Sequence, residues 1–251
     1  MIVSEFEKRQ TETRYLITTN ATLVTKEIAE YLKNKDFSVS VSMDGRENTH
    51  DKCRVYCNGK GSFNDACKGL EILMDTEIKE VRIRGTYNSD TVYELDENIE
   101  FLLEKYRCDI VFAPDLFDVN WNDDKLQFLS KVYEKYKSNE KVSIYDEIDN
   151  PSFCGGGIND FHINVYGEVF PCSFVMNDKR FIIGNVFDGL NVKKIEELQE
   201  VNRKRIFQCK GCVKESTCRS FKCKYLNKNL MGDALIPSPV VCSFENMCQK
   251  M

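Results

Sequence analysis

Four thiols, at Cys209, Cys212, Cys218 and Cys223, fall within fifteen residues of this 251-residue chain. They are part of a longer pattern. Cys154 is followed after 17 residues by Cys172, and after a gap of 36 by Cys209-x2-Cys212-x5-Cys218-x4-Cys223; 18 residues more lead to Cys242, and Cys248 trails. A C-x-x-C pair curls the backbone so that both thiolates face one centre, and thiolates from distant loops can complete a four-sulfur site. The other cysteines, Cys53, Cys57, Cys67 and Cys108, are scattered over the first 150 residues. This asymmetry divides the chain in two.

Four kinds of chemistry compete for such a pattern. Structural zinc would need two Cys₄ or Cys₃His sites, with His162 available to fill a vacancy. Disulfides suit a secreted chain, but the N-terminal residues have no basic segment followed by an apolar one, so no signal peptide is visible. Free thiols by chance are improbable at this density. Iron–sulfur clusters fit best, since seven or eight thiolates would hold one complete and one nearly complete [4Fe–4S] centre. Lys210, Lys214, Arg219, Lys222, Lys224 and Lys228 crowd the same segment, and cations favour a negatively charged cluster. A solvated basic face accounts for the same charges without a metal.

The composition narrows the class. Apolar residues make up 42% and charged residues 30%, and 35 Lys+Arg against 40 Asp+Glu give a net charge of −5. That balance argues against a dedicated nucleic-acid binder. No apolar run approaches the length that spans a bilayer. The simplest location is cytoplasmic, where clustered cysteines point to metal rather than disulfides.

The elements that must position these residues alternate in the first half. Strands are expected at 14–19, 37–43, 78–87 and 108–114. Helices follow at 25–34 with Thr25 as N-cap, at 62–75 with Ser62 or Asn64 near the cap, at 97–106 and at 123–137. Four strand–helix units with right-handed crossovers predict a parallel α/β sheet or part of a barrel over residues 1–140. Residues 138–153 are polar and turn-rich and mark the boundary. A small cysteine-rich domain follows over 141–251, with a hairpin at 163–172, a short strand and turn at 181–189 and a helix at 193–205. Metal would there replace a large core.

The second half resembles the SPASM domain, the auxiliary-cluster module of radical SAM peptide and protein maturases. The likeness runs through Cys154-Gly-Gly-Gly, Gly167-x4-Cys172, Gly184-Asn185-Val186, the C-x2-C-x5-C core and Cys242. It implies that Cys209, Cys212, Cys218 and Cys242 hold one auxiliary [4Fe–4S] cluster and that Cys154, Cys172 and Cys223 hold another, whose fourth ligand is unidentified. Cys223 follows Cys218 by x4 where the family usually has x3. The first half is similar to the later part of the same enzymes' (β/α) barrel, through TNATLVT (19–25), SMDG (42–45), GKGSF (59–63) and RGTY (84–87). Ser42 and Arg54 then occupy positions at which relatives contact S-adenosylmethionine.

One part of the family pattern is missing. Radical SAM chemistry uses C-x3-C-x2-C, whose three thiolates leave one iron free to bind S-adenosylmethionine. Cys53-x3-Cys57 comes nearest, but position 60 is Lys60; incidental cysteines are the simpler reading. The segment that binds the amino group of S-adenosylmethionine is missing too. The resemblance therefore implies the C-terminal portion of a longer maturase, completed by a separate N-terminal radical SAM half or derived from a truncated frame. Its sheet edge would then be expected to bind a partner chain or to aggregate.

Single residues carry ordinary readings beside these. Ser42 also suits a turn hydroxyl, Arg54 an ion pair, and Asp44 the shaping of the Asp44-Gly45 turn. His50 and His162 suit surface or satisfied core roles, and Phe112, Phe117 and Trp121 core packing. Ser173 follows Cys172 where sulfatase-maturing relatives carry an aspartate as catalytic base, which favours peptide maturation, such as thioether formation, over that branch. The expected function is the cluster-binding portion of a peptide maturase, not catalytic alone, with a precursor peptide and a flavodoxin or ferredoxin as partners. The alternative is a non-catalytic cluster- or zinc-containing protein that binds a peptide or carries electrons.

Overall fold

The computed structural model describes residues 2–9, 12–144, 155–215 and 217–247. Cys154 and Cys248 lie outside the described residues. The chain forms two compact units, Met1–Asp146 and Glu147–Met251.

In the first unit, helix α1 (Ile2–Lys8) precedes strand β1 (Tyr15–Thr19), α2 (Lys26–Asn34), β2 (Phe37–Ser42), α3 (Glu47–Cys53), α4 (Phe63–Asp75), β3 (Glu80–Tyr87), α5 (Leu95–Lys105), β4 (Asp109–Pro114), α6 (Asp123–Tyr136) and β5 (Val142–Ile144). The five strands are parallel and lie in chain order, β1-β2-β3-β4-β5. Right-handed crossovers between strands that never reverse order put all the helices on one face of the sheet. The side chains show this. On the covered face Val39, Val41, Ile83, Ile110 and Phe112 are buried. The opposite face carries Thr18, Ser40, Ser42, Arg82, Arg84 and Thr86, aligned across β1, β2 and β3 by the register Thr18↔Ser40↔Arg82 and Ser42↔Arg84. A parallel sheet buried on both faces would be apolar on both. This one has a polar face, as the inner wall of an open barrel would.

Local chemistry sets the helix starts. Thr25 accepts from the Ile28 N–H at 3.3 Å, and Asn122 caps α6 through the Lys125 N–H at 3.0 Å. Ser62 precedes α4 but makes no capping bond. Instead one carboxylate oxygen of Asp51, in α3, accepts from the Ser62 and Phe63 N–H groups at 2.9 and 3.0 Å. A cap supplied from eleven residues away leaves no local sequence signature. Residues 142–144, expected in a boundary loop, form β5 against β4. Phe112 is in the core as expected, but Phe117 is 50% exposed, on the loop after β4, and does not pack there.

The second unit is built on a four-stranded antiparallel sheet of β6 (His162–Ile163), β7 (Glu168–Phe170), β8 (Gly184–Asn185) and β9 (Gly189–Leu190). Helix α7 (Val192–Arg203), capped by Asn191 through the Lys194 N–H, follows. Then come three short helices with no clear periodic signal: α8 (Arg219–Lys222), α9 (Lys224–Met231) and α10 (Pro239–Met247). Two small apolar groups serve as core. Phe170, Val175, Phe181 and Tyr225 form one, and Ile206, Cys209, Cys218 and Phe221 the other. Among the described residues no helix is long and apolar enough to cross a membrane.

Gly69 tests the packing of α4. Alanine in its place would gain about 1 kcal/mol in helix propensity, but its methyl would stand 1.9 Å from the Ala21 carbonyl oxygen. Overpacking of this kind costs about 1–3 kcal/mol. Gly69→Ala is therefore expected to lower the midpoint of denaturant unfolding; an equal or higher midpoint would contradict this packing.

Candidate metal centre and sheet-end cavity

The C-x-x-C segment Cys209-Lys210-Gly211-Cys212 is a type II turn. Lys210 has φ −61° and ψ 120°, Gly211 has φ 82°, and the Cys212 N–H donates to the Cys209 carbonyl at 3.0 Å. The third position of this turn needs positive φ, which glycine adopts without strain. The turn brings the backbone of the two cysteines close together, with Cys209 buried and Cys212 exposed. Cys218 precedes α8 and packs with Cys209 against Ile206 and Phe221. Cys242 comes from α10, which is tied to α8 where Glu245 accepts from the Arg219 N–H at 3.0 Å.

These four thiols act on one another. Burial first, and then Cys218, Cys209 and Cys212, push the Cys242 thiol up to about 11. Burial also raises Cys209, with Cys212 adding to it. All four are free of disulfide bonds. Among the described residues, no three His, Cys, Asp or Glu side chains lie close enough to hold a single metal ion, as thiolates about 2.3 Å from one zinc would. A [4Fe–4S] cluster, whose irons would each take one thiolate, would suit this all-sulfur donor set.

Cys172 and Cys223 are brought together elsewhere in the same unit. Both pack against the group of Phe170, Val175, Phe181 and Tyr225. The Cys223 sulfur accepts from the Leu226 N–H at 3.4 Å, at the N-terminus of α9, where partial positive charge favours a thiolate. His162 lies in β6, paired with Phe170.

Residues that the sequence did not single out hold the three short helices. Asn227, fully buried, donates to the Ser220 and Ala234 carbonyls at 2.7 and 3.2 Å and accepts from the Ser220 hydroxyl at 2.8 Å. The Ser238 N–H donates to that same hydroxyl at 3.0 Å. This knot fixes α8, α9 and the start of α10 beside their cysteines. Of the basic residues in the segment, Lys210 is exposed, but Lys222 and Lys224 are buried, so a solvated face does not describe them.

In the first unit a cavity of about 270 Å³ opens at the C-terminal ends of β2, β3 and β4, lined among others by Asp44, Thr49, Arg54, Thr86, Asn88 and Asp115. Ligands of parallel α/β sheets bind at such strand ends. Asp44 is the hub. Its carboxylate accepts from Arg54 Nε at 2.6 Å and Nη2 at 2.9 Å, and from the Thr86 N–H at 2.8 Å. Arg54 is thus paired, with its guanidinium fork spent on Asp44 while it lines the cavity. Asp44 does more than shape its turn. Ser42 lies on the polar sheet face and is not among the residues lining the cavity. Cys53 ends α3 and borders the cavity, Cys57 lies in the following turn, and both are exposed. Trp121 stacks edge-on against Tyr87.

His50, 1% exposed, completes the network. Its Nδ1 accepts from the Asp44 N–H at 3.4 Å, and its Nε2 lies 3.1 Å from the Ser62 hydroxyl. That hydroxyl already donates to the Arg54 carbonyl at 2.7 Å, so Nε2 carries the proton and the ring is neutral. Burial lowers the His50 pKa below its usual value of 6.5, against the opposing pull of Asp44. The unfolded chain therefore takes up the proton first, and stability is lost as pH falls below about 6.5. His50→Gln, which keeps a donor to Ser62, is expected to flatten the fall in unfolding free energy between about pH 6.5 and 5; a slope identical to that of the unmutated protein would rule the assignment out.

No protein-family model matches the chain. It is 27% identical over 252 residues to the cysteine-type anaerobic sulfatase-maturating enzyme of Clostridium novyi, covering 87% of this chain and 66% of that protein. An uncharacterized protein of Methanocaldococcus jannaschii is 39% identical over 218 residues, covering 83% of this chain and 70% of that protein. The subtilosin biosynthesis protein AlbA of Bacillus subtilis is 27% identical over 193 residues, or 68% of this chain and 40% of AlbA. The chain thus spans about two thirds or less of most of these relatives. Among solved structures, native anSMEcpe with bound AdoMet superimposes with a TM-score of 0.78 at 20% identity, covering 98% of this chain and 75% of that one. Streptococcus suis SuiB bound to precursor peptide SuiA gives 0.65 at 14% identity, covering 96% and 61%.

Proposed function

The chain belongs to the radical SAM/SPASM family, and from that membership we propose that it is the barrel-wall and cluster-holding portion of a maturase that modifies a peptide. Cys209, Cys212, Cys218 and Cys242 hold one auxiliary [4Fe–4S] cluster. Cys172 and Cys223, with Cys154, hold a second. The observation that carries this reading is that four disulfide-free thiols come from neighbouring pieces of the second unit: Cys209 and Cys212 from one type II turn, Cys218 packed with Cys209 on Ile206 and Phe221, and Cys242 on a helix tied to α8 through Glu245. When bound, such clusters accept and pass single electrons.

The chain's own residues have separate tasks. The cysteines hold iron, and the Ser220–Asn227–Ser238 knot fixes the helices that carry them. In the first unit, Arg82, Arg84, Ser42 and Thr86 offer donors along an open polar face suited to a peptide or to S-adenosylmethionine, and Asp44 holds Arg54 rigid at the cavity. Relatives that act in bacteriocin biosynthesis or bind a precursor peptide support a peptide substrate. Ser173 next to Cys172 removes the carboxylate expected of the sulfatase-maturing branch, which favours peptide maturation, with thioether formation as the specific reaction class.

The 251 residues contain no C-x3-C-x2-C triplet. Activation of S-adenosylmethionine is therefore assigned to residues outside this sequence, in the same polypeptide or in another. The outer edge of β1 has no strand partner among the described residues, and Leu16, Leu23, Ile28 and Tyr31 nearby are exposed. That edge is a fitting place for a further strand of the barrel.

Anaerobic reconstitution with iron and sulfide tests the reading. The chain is expected to turn brown and take up about eight iron, four for each cluster. Cys212→Ala or Cys242→Ala should lose about half of that, while Cys53→Ala and Cys57→Ala should lose none. A colourless protein that retains only zinc, or iron content unaffected by Cys212→Ala and Cys242→Ala, would sink the proposal.

A further inference from the structure

Lys224 is 1% exposed. Lysine almost never reaches such burial without a partner, because its long stem lets the ammonium escape to water. Here the side chain turns inward. Its Nζ donates to the Phe221 carbonyl and stands 4.6 Å from the centre of the Phe221 ring. Phe221 packs in turn with Cys209 and Cys218, and Cys223 immediately precedes Lys224 in the chain. Cys209 and Cys218 belong to one proposed cluster and Cys223 to the other, so Lys224 lies beside members of both sets. The carboxylates that act on the same thiols are engaged elsewhere: Glu245 accepts from the Arg219 N–H at 3.0 Å, and Glu215 lies 3.7 Å from Arg205. Burying an ammonium is strongly unfavourable unless a negative partner compensates. Neutral thiols offer no such partner, whereas a four-thiolate cluster is doubly negative and becomes triply negative on reduction.

We propose that Lys224 is the buried countercation of the auxiliary clusters and holds their reduction potential up. The inference rests on the cluster reading above. A fixed positive charge favours the more negative, reduced state over the oxidised one, and in a dry setting it is weakly screened. Removing it must therefore make the clusters harder to reduce. The exposed Lys210, in the turn between two ligands, carries the same formal charge in water and should contribute little.

The test is an anaerobic, dithionite-driven redox titration of the full reconstituted chain, followed by electron paramagnetic resonance. Lys224→Met keeps the apolar stem and removes the charge. It is expected to bind as much iron as the unmutated chain, with an auxiliary-cluster midpoint lower by at least 59 mV, a tenfold change in the one-electron equilibrium. Lys210→Gln should leave the midpoint unchanged. An unshifted midpoint in Lys224→Met, or equal shifts in both variants, overturns the inference. If Lys224→Met fails to hold iron, Lys224→Arg decides: restored iron with the unmutated midpoint supports the countercation, and continued loss of iron rejects it. Failure of the unmutated chain to load any cluster would instead defeat the cluster reading itself.

Discussion

Sulfurs crowded together in nearly dry surroundings cannot all ionise unless positive charge is placed among them. That constraint bears on the second unit, where Cys209 and Cys218 are buried and Cys242 half-buried, with Cys212 at the exposed edge of the set. Burial and the neighbouring thiols hold Cys242 protonated well above neutral pH, so the metal-free arrangement is one in which the thiols lie near each other without bonding. In the proposed reading, polynuclear iron would resolve the conflict by supplying charge at each sulfur. The apolar core of this unit is divided among small groups, those of Phe170, Val175, Phe181 and Tyr225 and of Ile206, Cys209, Cys218 and Phe221, with Val169, Ile183, Leu226, Val241, Phe244 and Met247 also buried, while Val165, Phe187 and Phe207 remain largely exposed. Hydrophobic burial alone is a weak basis for a unit of this size.

The first unit obeys a different constraint. Strands laid down in chain order with right-handed crossovers place all the helices on one side, which frees the other face for polar groups. Asp44 exploits the strand ends. One buried carboxylate orients Arg54, receives the backbone of β3 through Thr86, and through its own N–H fixes the tautomer of His50. Three segments are thereby tied at the mouth of the cavity: the Asp44 turn, α3 with Arg54 at its end, and β3. Removing Arg54 would leave that carboxylate buried and unpaired, a far greater loss than breaking an exposed ion pair.

Much of this was legible in the sequence because it is local. Alternation in FSVSVS, the helical stripe after Thr25 and the turn residue Gly167 each act within a few positions. The C-x2-C pair implied a curl, and Gly211 supplies the backbone conformation for it. What was not legible is set at a distance. The cap of α4 comes from Asp51 across a loop, and β5 is a strand only because β4 lies beside it. The helices α8, α9 and α10 are too short for periodicity to register and are held by the side-chain knot around Asn227. Lys224 read as one of six cations crowding the cysteines, and nothing in its neighbours in sequence announces its burial. Phe117 failed in the opposite sense: an aromatic residue after a strand suggested core, yet its loop leaves it exposed.

The account stands on the claim that iron, not apolar packing, gives the cysteine-rich unit its order. Hydrogen–deuterium exchange on the full chain, reconstituted and iron-free, addresses this most directly. Amides around Cys209–Cys223 and in α10 are expected to exchange slowly only when iron is bound, while the strands β1 to β4 are equally protected in both forms. Equal protection of the cysteine-rich segment with and without iron would contradict the claim.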